Sequence, residues 1–128
     1  MKFGLLGRTL GHSFSPRIHS ALGNTNYELF EREPSQLQEF FDDPELQGIN
    51  ITIPYKVNAL EACDVVDPRA ERIGCVNTMV RKDGKWHGYN TDYDGFVFTL
   101  KHAGIDVSGK ECIILGDGAS SATVHVAL

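Results

Sequence analysis

The chain has 128 residues, 41% hydrophobic and 23% charged, with a net charge of −5. That is the length of one domain, or of one domain and part of a second, and a chain of this size buries roughly two-thirds of its unfolded surface, enough for a core without staples. The acidic balance argues against a nucleic-acid binder, which carries a basic excess, and no apolar run approaches the roughly 20 residues of a membrane span.

KFGLLG (2–7), an apolar run closed by Gly7, predicts a strand. SPRIHSALG (15–23) predicts a helix, with Ser15 as cap, Pro16 at the first helical position, Ile18, Ala21 and Leu22 on one face, and Gly23 as the stop. NYELFER (26–32) returns to strand alternation, and PSQLQEFFDD (34–43) puts Leu37, Phe40 and Phe41 on one helical face. In GINITIPYK (48–56), Ile49, Ile51 and Ile53 alternate with Asn50 and Thr52, the period of a strand with one apolar and one polar face. YKVNALEAC (55–63) and DPRAERIG (67–74) read as helices.

CVNTMVRKDGKWHGYN (75–90) reads as a hairpin turning at Asp83-Gly84. TDYDGFVFTLKHAG (91–104) is a helix with Phe96, Val97 and Leu100 inward and Gly104 at its end, and ECIILGDGASSATVHVAL (111–128) gives a strand, a glycine turn and a helix start. Strands alternating with helices indicate an α/β fold, a mostly parallel sheet flanked by helices. The organisation expected is a complete first domain over 1–107, then, over 108–128, the opening strand–turn–helix of a truncated Rossmann unit. Cys63, Cys75 and Cys112 form no C-x-x-C pair. That argues against a disulfide scaffold and a zinc site, so no metal is expected, and it points to a reducing cytoplasm.

Ligands of open parallel sheets sit beyond the carboxyl ends of the strands. Three polar segments fall on that rim. In HSFSP, Ser13 and Ser15 lie at a helix start, which suits an anion as well as simple capping, with Arg8 and His12 nearby. Lys56 follows a strand whose second face carries Asn50 and Thr52, polar groups that need partners a ligand would supply. Asp92, in the first turn of a helix, would make a proton-transfer couple with that lysine, while the Asn-Thr pairs at 77–78 and 90–91 suit a polyhydroxylated substrate. GDGASS (116–121) fits a dinucleotide turn in the right strand-to-helix context, a weak signal when it stands alone.

GHSFSPRIHS, GINITIPYK, GCVNTMV and GYNTDYDG stand in the order and spacing of one family, and over nearly its whole length the chain resembles shikimate dehydrogenase. The resemblance implies a substrate-binding domain for shikimate beside an NADP-binding domain. It also implies reversible NADP-dependent reduction of 3-dehydroshikimate to shikimate in aromatic amino-acid biosynthesis. Ser13 and Ser15 match the carboxylate-binding serines, Thr52, Asn77 and Asp92 the contacts to substrate hydroxyls, Lys56 the catalytic lysine paired with Asp92, and Asn50 a supporting residue. Gly116, Gly118, Ala119, Ser120 and Ser121 match the cofactor turn, but Ala119 replaces its third glycine, Ser120 its alanine, and Ala122 the basic residue that follows. The residues themselves leave NAD beside NADP. They also leave a quinate/shikimate dehydrogenase and a non-catalytic module for hydroxylated carboxylates as rivals. The remainder of a nucleotide-binding domain is the expected partner, and the 128-residue chain alone is expected to be inactive.

Overall fold

The structure, a computed structural model, describes residues 1–128. Its strands are β1 (Lys2–Gly7), β2 (Tyr27–Glu31), β3 (Leu46–Ile51), β4 (Val65–Val66), β5 (Thr78–Lys82) and β6 (Lys85–Tyr89). Its helices are α1 (Ser15–Ala21), α2 (Leu37–Asp42), α3 (Lys56–Ala62), α4 (Pro68–Ile73), α5 (Asp92–His102) and α6 (Ala119–Ala127). The strands form one sheet in the order β2-β1-β3-β5-β6-β4. β1 is parallel to both β2 and β3, and β4 to β6, while β5 runs antiparallel between β3 and β6. The parallel character expected from the sequence holds for the β2-β1-β3 half, and the hairpin reverses direction at its centre.

The hairpin turns where Asp83 (φ 51°) and Gly84 (φ 77°) both take positive φ, the backbone that a two-residue turn matching strand twist requires. Asp67 caps α4 by accepting the Arg69 N–H at 3.0 Å, and Gly74 ends it in the left-handed region at φ 82°. The core packs Leu6, Leu46, Ile49, Ile51, Val76 and Met79 of the sheet side against Phe40 and Phe41 of α2. Each such burial contributes about 1.5–3 kcal/mol relative to exposure.

Four expectations are corrected. Ile53 does not share the apolar face of Ile49 and Ile51; it is 75% exposed. β3 ends at Ile51, and Pro54, having no N–H, cannot extend a ladder. Ser15 is not the cap of α1 but its first residue, because Phe14 holds the cap position and makes no side-chain capping bond. Residues 111–115 form no strand, and Ile113 and Leu115 are exposed, since no strand of the sheet runs alongside that segment to complete its ladder. Finally, Phe96, Val97 and Leu100 of α5 are only half-buried.

Candidate active site

The topology brings four chain segments to one edge. β1 and β3 deliver their carboxyl ends there, followed by the 8–14 loop and by Thr52 to Lys56. The antiparallel β5 contributes its beginning instead, so Asn77 arrives one residue before Thr78, which pairs with Asn50. β6 then ends beside it and leads through Asn90 and Thr91 into α5, whose first residue is Asp92.

An open cleft of about 750 Å³ lies at this edge, and Ser13, Ser15, Thr52, Lys56, Asn77 and Asp92 all line it. Lys56 Nζ donates to Asp92 Oδ2 at 2.5 Å. The lysine side chain is 12% exposed and the aspartate 40%, so the ammonium is largely out of water and depends on this carboxylate for compensation. The other carboxylate oxygen, Oδ1, accepts from Asn77 Nδ2 at 3.0 Å. Asn77 Oδ1 in turn accepts the Thr91 N–H at 2.9 Å and the Thr78 hydroxyl at 3.1 Å. Lysine, aspartate and amide are thus one connected set fixed at a loop junction, each held from a different element.

The serine end is built differently. Ser13 Oγ accepts the Ser15 N–H at 3.2 Å, which leaves the Ser13 hydroxyl hydrogen free to turn toward a ligand, while the Ser15 side chain reaches the Tyr27 phenol. Arg8 is not part of the cleft lining; it pairs with Glu33 at 2.9 Å, while His12 does line it.

Asn50 supports the cleft floor between two partners: its Oδ1 accepts from the Tyr27 hydroxyl at 2.7 Å and its Nδ2 donates to Thr78 Oγ1 at 3.1 Å. Tyr27 also stacks on His19, with ring centroids 3.8 Å apart, and His19 lines the cleft. Sequence reasoning missed Tyr27 and His19, because strand alternation shows that Asn50 needs a partner but not that one comes from two strands away. Burial pushes the Tyr27 phenol from its usual 10.0 up to about 12, with a Ser15 contact pulling weakly the other way. A raised acid pKa means that the fold favours the neutral phenol. This contribution is whole below pH 10 and is lost as pH climbs through about 12. An absorbance titration is expected to show a phenol ionising near pH 12 that is missing in Tyr27→Phe. Ionisation of the Tyr27 phenol near the unperturbed value, about 10, would mean that the phenol is not buried.

A second cleft, of about 460 Å³, adjoins the first across Lys56. One wall is the glycine turn, with Gly116, Gly118, Ala119, Ser120 and Ser121; the other is apolar, with Ile53, Pro54 and Val57. Gly116 sits at φ 126°, a backbone that side chains rarely adopt, and Gly118 precedes α6 with open space where a Cβ would stand. The Ser121 hydroxyl donates to the Gly116 carbonyl at 2.6 Å, so it braces the turn from within.

Residues 5–79 match the family model described as the shikimate dehydrogenase substrate binding domain. A protein of Clostridium perfringens (strain SM101) named shikimate dehydrogenase (NADP(+)) is 38% identical over 95% of this chain and 48% of its own length. The crystal structure of shikimate dehydrogenase 1 from Peptoclostridium difficile superposes with a TM-score of 0.90 at 39% identity, over 99% of this chain and 52% of that one. The shikimate 5-dehydrogenase of Thermus thermophilus, solved with NADP(H) and shikimate, gives 0.89 at 35% identity, over 99% and 51%. The chain spans about half the length of the relatives it matches.

Proposed function

This chain belongs to the shikimate dehydrogenase family, and from that premise we propose that it forms the substrate-binding half of an NADP-dependent enzyme interconverting 3-dehydroshikimate and shikimate. In this reading residues 1–107 are the substrate domain and 108–128 open the nucleotide unit, in a cytoplasmic protein of the aromatic amino-acid pathway. The observation that carries it is the position of Lys56: its ammonium is joined to Asp92 at 2.5 Å on the wall shared by the two clefts, where substrate and cofactor would meet.

The residues present fit a dinucleotide at the second cleft. Gly116 and Gly118 let backbone approach closely, and the α6 amino terminus, with no side-chain cap, offers its N–H groups to a phosphate. When bound, the dinucleotide supplies or takes the hydride. Lys56 Nζ gives its proton to the ring oxygen as the ketone becomes an alcohol, and takes it back in the reverse direction. Asp92 holds Nζ in place through Oδ2, and Asn77 fixes that carboxylate through Oδ1. Thr52 and Asn77 orient ring hydroxyls, and the hydroxyls of Ser13 and Ser15 take the carboxylate.

Assays of the full-length protein test the reading: turnover with shikimate and NADP is expected, and weaker turnover with quinate. Equal turnover of quinate would favour the broader quinate/shikimate specificity, and shikimate binding without turnover would favour a binding module. The Ser13→Ala/Ser15→Ala double variant is expected to weaken shikimate binding by about 1.5–3 kcal/mol per lost hydrogen bond to the charged group, read by calorimetry. Unchanged affinity would remove the carboxylate from that end of the cleft.

A further inference from the structure

Asn90 and Thr123 face neither cleft, yet they are among the most buried polar side chains of the chain, at 5% and 2% exposure. Asn90 Nδ2 donates to the Cys75 carbonyl at 3.2 Å and to Thr123 Oγ1 at 3.3 Å, while its Oδ1 accepts the Tyr93 N–H at 3.3 Å. That single amide therefore joins three segments: the strand entry two residues before Asn77, the first turn of α5 that carries Asp92, and α6. On the α6 side the Thr123 hydroxyl donates to the Ala119 carbonyl at 3.0 Å, and the Cys75 thiol reaches the same carbonyl at 3.7 Å. Ala119 is the residue on which the glycine turn becomes a helix. Burial pushes the Cys75 thiol up, which keeps it a neutral donor rather than a nucleophile.

We infer that Asn90 and Thr123 are positioning residues that lock the glycine turn to the wall carrying Lys56 and Asp92, and so govern dinucleotide affinity while touching neither ligand. The inference rests on reading 116–121 as the dinucleotide turn. α6 otherwise packs on α4 and α5 rather than on the sheet. Without the lock the turn would sample positions in which its N–H groups and Lys56 no longer address one ligand, and a ligand that binds only the locked arrangement loses affinity in proportion.

The test uses the full-length protein and Thr123→Val, which keeps shape and removes the hydroxyl. NADP affinity, read by fluorescence titration, is expected to fall about 5- to 30-fold, as the hydroxyl's two buried hydrogen bonds, from Asn90 Nδ2 and to the Ala119 carbonyl, are lost together. Shikimate affinity without dinucleotide, read by calorimetry, should stay within about twofold, because the Lys56–Asp92–Asn77 set is held by separate bonds. KM for NADP should rise with little change in KM for shikimate, and Thr123→Ser, which keeps the hydroxyl, should leave NADP affinity and KM for NADP within about twofold of wild type. Asn90→Asp keeps the acceptor to Tyr93 but loses the Nδ2 donor to both Thr123 Oγ1 and the Cys75 carbonyl, so it should lower NADP affinity at least as far as Thr123→Val. NADP affinity unchanged in Thr123→Val, or both affinities falling together, would overturn the inference. A wild-type protein that binds shikimate but no dinucleotide would overturn the dinucleotide reading itself, and this inference with it.

Discussion

Lys56→Ala in the full-length enzyme is expected to lower kcat by roughly 10²–10⁴-fold, the range a positioned acid–base group supplies, and to change KM much less. That split marks an interaction made chiefly in the transition state. A lysine opening a helix is commonly a solvated surface group whose loss costs a few tenths of a kcal/mol. Lys56 departs from that pattern on two counts: its side chain is 12% exposed, and its ammonium is bound to Asp92 at 2.5 Å. Truncation strands the Asp92 carboxylate, but at 40% exposure that group rehydrates, so the stability cost should be small, about 1 kcal/mol or less, and distinct from the rate effect. Asp92→Asn should also cut kcat. It should weaken substrate binding as well, since the same side chain is placed against a substrate hydroxyl. Combined with Lys56→Ala it should add little, because the two residues act as one unit. Steady-state kinetics on the two single variants and the double check all of this. A Lys56→Ala enzyme with near-normal kcat would return Lys56 to the solvated class and leave the proton without a carrier.

That the six proposed substrate residues share one cleft was legible from one rule of location, while the role proposed for each came from the resemblance. Each lies just beyond a strand end, and in an α/β sheet those ends share an edge. Asn77 meets the rule from the other end: the hairpin read over 75–90 makes β5 and β6 antiparallel, so β5 presents its start to the edge where β6 ends. Hydrophobic period shows which side chains share a face, but not which strands are neighbours, so the place of β5 beside β3 was out of reach. The exposure of Ile53 was hidden for a related reason: alternation continues through the letters after the strand itself has stopped at Ile51. Residues 111–115 have the composition of a strand, but composition does not supply the neighbour that a ladder needs. Tyr27–Asn50 and Asn90–Thr123 were equally invisible, being pairs set by the fold across 23 and 33 positions.

Gly4→Ala is expected to destabilise the chain by about 3 kcal/mol or more, a large part of the total stability of a domain of this size. Gly4 lies in β1 between β2 and β3, opposite Glu28 on one side and Ile49 on the other. A methyl group there would run into the Glu28 backbone carbonyl and stand 2.5 Å from the nearest Phe30 ring carbon. Neither can yield cheaply: the carbonyl is backbone of the neighbouring strand, and Phe30 is 7% exposed with its ring 5.1 Å from that of Phe40. Relief requires β2 to move away from β1. β2 carries Tyr27, which holds Asn50, and Glu31, whose Oε1 accepts the Leu10 N–H at 2.6 Å and pins the loop that presents Ser13. Thermal unfolding should therefore show Tm lower by roughly 10 °C or more, with shikimate binding weakened at temperatures where the fold survives. Gly95→Ala supplies the opposite sign from the same change of residue. Gly95 lies within α5 with nothing within 4 Å of the added carbon. There alanine should stabilise by about 0.5–1 kcal/mol through its better helix propensity. If both variants moved Tm alike, the close approach of β2 to Gly4 would not be what bars a side chain there.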